Sequence, residues 1–517
     1  MAFRDTRIAR RLIAPLVAAG MAMSLASCAA RPASDDAAAG GSQSASTGSV
    51  AVFTPSDGVT LSGDTPLNKW TKFVPELTAA LKKAGVAKKR IETTSSDSLD
   101  KQSRDVQDFV VDRVSATSSG DAAATTIVIA PVTSPDDTVR QYGDYVDQQV
   151  GSSSDGTSGT SDDQTLQDAE SRLRSALTLA RENGMHVVML AGSLDGFRPD
   201  VYVRMSTAEE IGRVQATKMV DKLDLEKAST DNPKNIEVLL ACTPASGDDG
   251  NAEACADGDG AAFAAETFRG AWSVLQPYFK SGQAVSPSGT LDKDTGSDDW
   301  RSVAFSSAED DDVAAQLRER LSMDGKGKPQ THTRIDGVIA MNDHTAALVA
   351  KELGELGYTG SAADINPSIT ISGIVENITG KKDLQRDKVP DPIKAPEEQA
   401  GTTDADGQKA ADEANSRWPI ITGYGAYVDS MPLIVSGQQW MTALEDRAAL
   451  AQDTATVCVK LNAGETVSRN TLSFVSPGKV DGVNVPTVSE DLVAVSASNL
   501  KTALIDPGYI TPADAGL

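Results

Sequence analysis

The chain has 517 residues, 73 of them acidic against 48 basic, with a formal net charge of −25 and only 4% aromatic residues. That length suits two or three domains of about 100 to 200 residues each. The acidity, with no basic cluster interleaved with aromatics, argues against nucleic acid and anionic lipid headgroups as partners.

Arg4, Arg7, Arg10 and Arg11 precede an apolar, Ala-rich run from Leu12 to Leu25, which ends in Leu25-Ala26-Ser27-Cys28. A positive n-region, a short h-region and small residues ahead of a Cys predict a lipoprotein signal peptide over 1–27, with lipid on Cys28. The run is shorter than the roughly 20 residues of a membrane-spanning helix. The expected location is therefore the extracytoplasmic face of the cell membrane, with the lipid as the only membrane contact. Residues 28–48, rich in Ser, Gly and Ala, read as a flexible tether.

From Ser49 onward, short apolar runs alternate with amphipathic stretches, the pattern of βαβ units and a parallel sheet. The first unit is Val50 to Phe53, followed by Trp70, Phe73, Val74, Leu77, Leu81 and Ala84 at helical spacing and a stop at Gly85. Pro75 must lie in the first turn or kink that helix. Further strands are predicted at Thr126–Ala130, His186–Leu190, Ile236–Leu240, Val338–Met341 and Pro419–Gly423. The polar inserts Gly151–Asp163 and Lys381–Asn415 read as surface loops.

Cys242 and Cys255 lie close together in one polar loop and form the plausible disulfide in an oxidising compartment. Cys458, in an apolar context, reads as a small buried hydrophobe. With His186, His332 and His344 scattered and no C-x₂-C pair, no metal site and no cofactor is expected. The chain shows no G-x-S-x-G, H-E-x-x-H or P-loop motif and no histidine near a plausible nucleophile, so no enzymatic activity is expected.

Several stretches carry a likeness to a known family. They are Val214 to Leu223, Gly270 to Tyr278 with Ser281-Gly282 behind it, Ile335 to Asp343, Ser436 to Trp440 with Asp446 further on, and Leu504 to Tyr509. On these residues the chain resembles the xylose- and multiple-monosaccharide-binding branch of type I periplasmic solute-binding proteins of bacterial ABC importers. The resemblance implies an α/β, Venus-flytrap fold: two Rossmann-like lobes with mostly parallel sheets and three hinge crossovers. The first lobe would comprise 49–204 plus about 445–485, the second 205–444, with a C-terminal segment over 486–517. It implies a monomer that captures a small polar solute, a monosaccharide or derivative, and delivers it to a permease and its ATPase. A sensor or interaction lipoprotein on the same fold is the alternative.

The resemblance also points to ligand-binding residues. Lys69 and Trp70 match a cleft position of the family, although the spacing of Trp70 suits the helix core equally. Trp300, flanked by acids, matches a stacking tryptophan. Asn342 matches an amide that binds sugar hydroxyls. Asp343 follows it, with a helix N-cap as its simpler role. Tyr424 stands beside Gly425, where the family has a hinge Asp. Other departures are Ala191-Gly192 in place of an Asp-Arg pair, with Asp195 and Arg198 as conceivable substitutes, and Glu445 in place of a Lys. The acidic-amide loop becomes Asp248 to Asn251, and Ile369–Gly373 with Glu376 and Asn377 competes as a hinge strand.

Overall fold

The structure, a computed structural model, describes residues 47–57, 65–116, 122, 124–135, 137–150, 161–243, 259–323, 331–363 and 411–517. The signal segment and tether up to residue 46, Cys28, Cys255, Asp248 to Asn251 and the stretch Ile369 to Asn377 lie outside the described residues. So do 151–160 and 381–410 of the two inserts, whose remaining residues are helical. Among the described residues no helix is long and apolar enough to cross a membrane.

The first lobe contains β1 (Ser49–Pro55), β2 (Ile91–Ser96), β3 (Thr125–Ile129), β4 (Gln148–Val150), β5 (His186–Leu190), β6 (Gly192–Leu194) and β7 (Val201–Val203). The second contains β8 (Lys234–Val238), β9 (Leu240–Cys242), β10 (Ala284–Val285), β11 (Ala304–Ser306), β12 (Gly337–Ile339), β13 (Ile420–Thr422) and β14 (Met441–Leu444). The chain then returns as the hairpin β15 (Val475–Val480) and β16 (Val483–Val488), and finishes with β17 (Val493–Ser496). The sheet orders are β15-β16-β7-β5-β3-β1-β2 and β10-β8-β12-β13-β14-β17. Among the described strands, only the β15–β16 and β14–β17 pairs are antiparallel.

Strand alternation explains the layering. Val50, Val52, Val128, Val188 and Leu190 enter one core beneath the helices Trp70–Lys83 and Arg447–Asn462. Ala51, Phe53, Ile127, Ile129, Val187 and Met189 enter the other, beneath Leu99–Ala116 and Ser161–Glu182. Both sheet faces are thus covered, which is why these strands read as nearly continuous apolar runs. Pro75 lies inside Trp70–Lys83, past its first turn, and removes one backbone donor there.

In the second lobe the helices Ala208–Leu223 and Asp259–Ser281 approach until backbones touch. A Cβ on Gly212 would lie 1.9 Å from the carbonyl oxygen of Thr267, and one on Gly270 1.9 Å from that of Glu209. This mutual approach gives Gly270 a packing role. The C-terminal turns carrying Leu504 and Ile510 pack with Leu67, Met431 and Ile434, and the Arg447 guanidinium stacks on the Tyr509 ring at 4.0 Å.

Among the described residues three crossovers join the lobes: 204–207 after β7, 445–446 after β14, and 489–492 between β16 and β17. Because β7 runs parallel to β5 and β16, β14 runs parallel to β13, and both feed crossovers from their carboxyl ends, the carboxyl edges of both sheets meet there. β13, expected as a hinge strand, lies inside the second sheet between β12 and β14.

Candidate functional site between the lobes

The first lobe contributes the turn ahead of helix Trp70–Lys83 and the segment Asp137–Val150. Asn68, 2% exposed, donates from Nδ2 to the Tyr142 carbonyl at 2.9 Å and to Glu445 Oε1 at 3.3 Å. Its Oδ1 is buried without a hydrogen-bond partner. Gly143, at φ +90°, is required here, because a Cβ would fall 1.7 Å from Asn68 Oδ1. Lys69 pairs with Asp144 at 2.8 Å, and its carbonyl accepts from the Tyr145 hydroxyl. Trp70 is buried and meets Phe73 and Tyr145 edge-on, which places it in the first-lobe core.

The crossovers supply the centre of the site. Glu445 Oε1 accepts from Ser206 Oγ at 2.6 Å and from the Tyr424 hydroxyl at 2.5 Å. Glu445 Oε2 is buried with no partner. Burial raises the Glu445 carboxyl above its ordinary value, against the hydrogen bonds from Ser206, Tyr424 and Asn68. Tyr424 is pushed well up by burial and by the neighbouring Glu445 charge. One crossover residue, Ser206, and one at the next, Glu445, are thus tied to both lobes through Asn68 and Tyr424.

The second lobe adds Asn342 and Asp343 at the end of β12. Asn342 is the N-cap: its Oδ1 accepts from the Thr345 amide at 2.8 Å. The cap therefore falls one residue before Asp343. That residue is the first of helix Asp343–Leu356 and accepts from Gln439 Nε2 at 2.6 Å, Thr442 Oγ1 at 2.8 Å and the Tyr427 amide at 3.0 Å. Burial raises the Asp343 carboxyl to about 6 against these bonds. Asn342 Nδ2 instead reaches the first lobe, donating to Gln141 Oε1 at 3.0 Å.

The structure brings Lys69, Asn342, Asp343 and Tyr424 to the edges where the lobes meet. Trp300, 7% exposed, packs in the second-lobe core with Arg301 stacked on its ring at 4.2 Å. It also borders a groove of about 520 Å³ walled by Asp292, Asp294 and Asp298. Asp195 and Arg198 are exposed. Cys242 is disulfide-bonded, and Cys458 is a buried free thiol. Asn68, Gln141, Ser206, Thr243 and Tyr427 carried no motif of their own. Asn68 alone had a signal, its place beside Lys69-Trp70.

No family model matches the chain. In sequence it is similar to the multiple sugar-binding periplasmic protein SbpA of Azospirillum brasilense, 24% identical over 342 residues, covering 66% of this chain and 71% of that one. In structure it is similar to an ABC transporter solute-binding protein from Clostridium phytofermentans with bound β-D-glucose. The identity is 19% and the TM-score 0.47, over 90% of this chain and 99% of that one. A carbohydrate transporter solute-binding protein from Chloroflexus aurantiacus in complex with D-glucose gives 19%, 0.46, 90% and 97%. With two Rossmann-like lobes of mostly parallel strands and three crossovers between them, the chain has the fold of the type I periplasmic solute-binding proteins and resembles their sugar-binding branch in sequence.

Proposed function

We propose that the chain is the extracytoplasmic solute-binding component of an ABC importer. Held at the membrane by lipid on Cys28, it captures a monosaccharide or derivative as a monomer, closes about its crossovers and presents the solute to a permease and its ATPase. Hinge closure turns occupancy into a shape that the permease can read. The observation that carries the reading is Asn342, which stands at the carboxyl end of β12 and reaches the first lobe at Gln141, 3.0 Å away. A carboxamide aimed across a cleft is suited to paired sugar hydroxyls. The likeness to a multiple sugar-binding protein supports the choice of solute.

The test is a thermal-shift panel of pentoses, hexoses, their acids and alditols on protein beginning at Ala29. A saturable rise following RT ln(1 + [L]/Kd), abolished in Asn342→Ala, is expected. One observation favours a second reading, a sensor or interaction lipoprotein on the same fold. The polar groups facing the cleft are engaged by the chain itself, as in Lys69–Asp144, Asn342–Gln141 and Tyr424–Glu445. A folded protein with no shift across the panel would select it.

A further inference from the structure

The segment Asp137–Val146 belongs to the first lobe by chain order, yet Val139, Tyr142 and Val146 are part of the second-lobe core. The Tyr142 ring packs on Phe263 at 4.5 Å. Between these anchors Gln141 is only half buried and is held on three sides by the second lobe. Its Nε2 donates to Thr243 Oγ1 at 3.0 Å, its Oε1 accepts from Asn342 Nδ2 at 3.0 Å, and its carbonyl accepts from the Tyr427 hydroxyl at 2.5 Å. The Thr243 amide is turned to the same segment, donating to Thr138 Oγ1 at 3.0 Å.

We infer that the Gln141 carboxamide is a built-in stand-in for the solute, and that a ligand enters by displacing it and taking over Thr243 and Asn342, while the Tyr427 hydroxyl keeps its bond to the Gln141 carbonyl. This rests on the solute-binding reading above and adds the residues and the ligand class. A carboxamide is neutral and offers one acceptor edge and one donor edge, as does a pair of adjacent hydroxyls. Two first-lobe cations, one within this segment and one paired to it, are engaged by acids, Arg140 with Asp137 and Lys69 with Asp144. Thr243 and Asn342, both neutral, thus suit a neutral polyhydroxylated solute. The anchors Val139 and Tyr142 keep the backbone in place, so only the side chain has to swing out. A bound form that must first be vacated lowers apparent affinity by the fraction of molecules already vacated.

The experiment is calorimetric titration of the wild type, Gln141→Ala and Gln141→Asn with D-glucose, D-ribose, D-allose, L-arabinose and D-gluconate. Alongside it, a Gln141→Ala/Asn342→Ala double-mutant cycle is run in urea unfolding. We expect both Gln141 variants to bind one of the neutral sugars about tenfold more tightly than the wild type, with no gain for D-gluconate. The cycle, run without sugar, should show about a threefold or larger coupling in the unfolding equilibrium. Binding that weakens in the Gln141 variants would make Gln141 a ligand contact and overturn the inference, and so would an uncoupled cycle. Absence of binding to all three proteins, with the coupling intact, would instead overturn the sugar reading on which it stands.

Discussion

Asp343 shows how a single residue can look like a ligand contact and be something else. Its carboxylate is wholly enclosed by Gln439, Thr442 and the Tyr427 amide, which ties helix Asp343–Leu356 to β14. Its carboxyl is raised to about 6 by burial, from an ordinary value of 3.8, so the folded state binds the proton more tightly than the unfolded chain does. Stability from this group is therefore fully present below about pH 4, falls as pH rises to about 6, and is lost above, a change of order 3 kcal/mol. Gln439 Oε1 is buried without a partner, so an Asn at 343 can turn its amide toward it once the Gln439 amide flips. We expect Asp343→Asn to flatten the fall in thermal stability between pH 4 and 6, as measured by calorimetry at both ends of that window. An unchanged pH dependence would remove Asp343 as its source. Glu445 shares the same physics at the crossovers, with its carboxyl also raised by burial, but there the unpartnered Oε2 leaves room for a further donor.

At the scale of elements, the pairing of helices Ala208–Leu223 and Asp259–Ser281 rests on two glycines placed where each helix meets the other's backbone. A methyl at either position would sit 1.9 Å from a carbonyl oxygen, which is backbone and cannot swivel away. Gly212→Ala and Gly270→Ala should each cost at least about 2 kcal/mol in urea unfolding, despite the better helix propensity of Ala. A neutral or stabilising result would show that the helices can separate freely. The strands that sequence periodicity located, such as His186–Leu190, are those buried on both faces. β2, with the sequence Ile-Glu-Thr-Thr-Ser-Ser, and the hairpin β15–β16, which contains Pro477 and Pro486, lack an apolar run because they lie at or near the sheet edges.

For the whole molecule, the segment Asp137–Val146 means that the lobes are not joined by crossovers alone. Tyr142, fully buried, is a first-lobe residue that fills the second-lobe core. Removing that ring should cost about 3 to 5 kcal/mol. We expect the wild type to unfold in urea in one transition, and Tyr142→Ala to show two, because the second lobe loses part of its core while the first keeps both of its own. Trp70 reports on the first lobe, and Trp272, Trp300, Trp418 and Trp440 report on the second, so fluorescence at single-Trp variants would separate them. One coincident transition in the variant would show that the Tyr142 ring is not what couples the lobes.

The sequence by itself determined the class of the fold and where most central strands run, because burial on both faces of a parallel sheet leaves a local record in apolar runs and their helical partners. It also singled out Lys69, Asn342 and Tyr424, through the resemblance to the family. Only the tertiary structure decided how these side chains are used. Whether Trp70 lies in a core or a cleft is a choice its helical spacing leaves open, and packing against Phe73 and Tyr145 makes it. The roles of Gln141, Ser206 and Glu445 come from contacts between residues hundreds of positions apart, such as Ser206 with Glu445 and Gln141 with Asn342. Such pairs are set by where three crossovers bring the chain together, and no local pattern of residues encodes that.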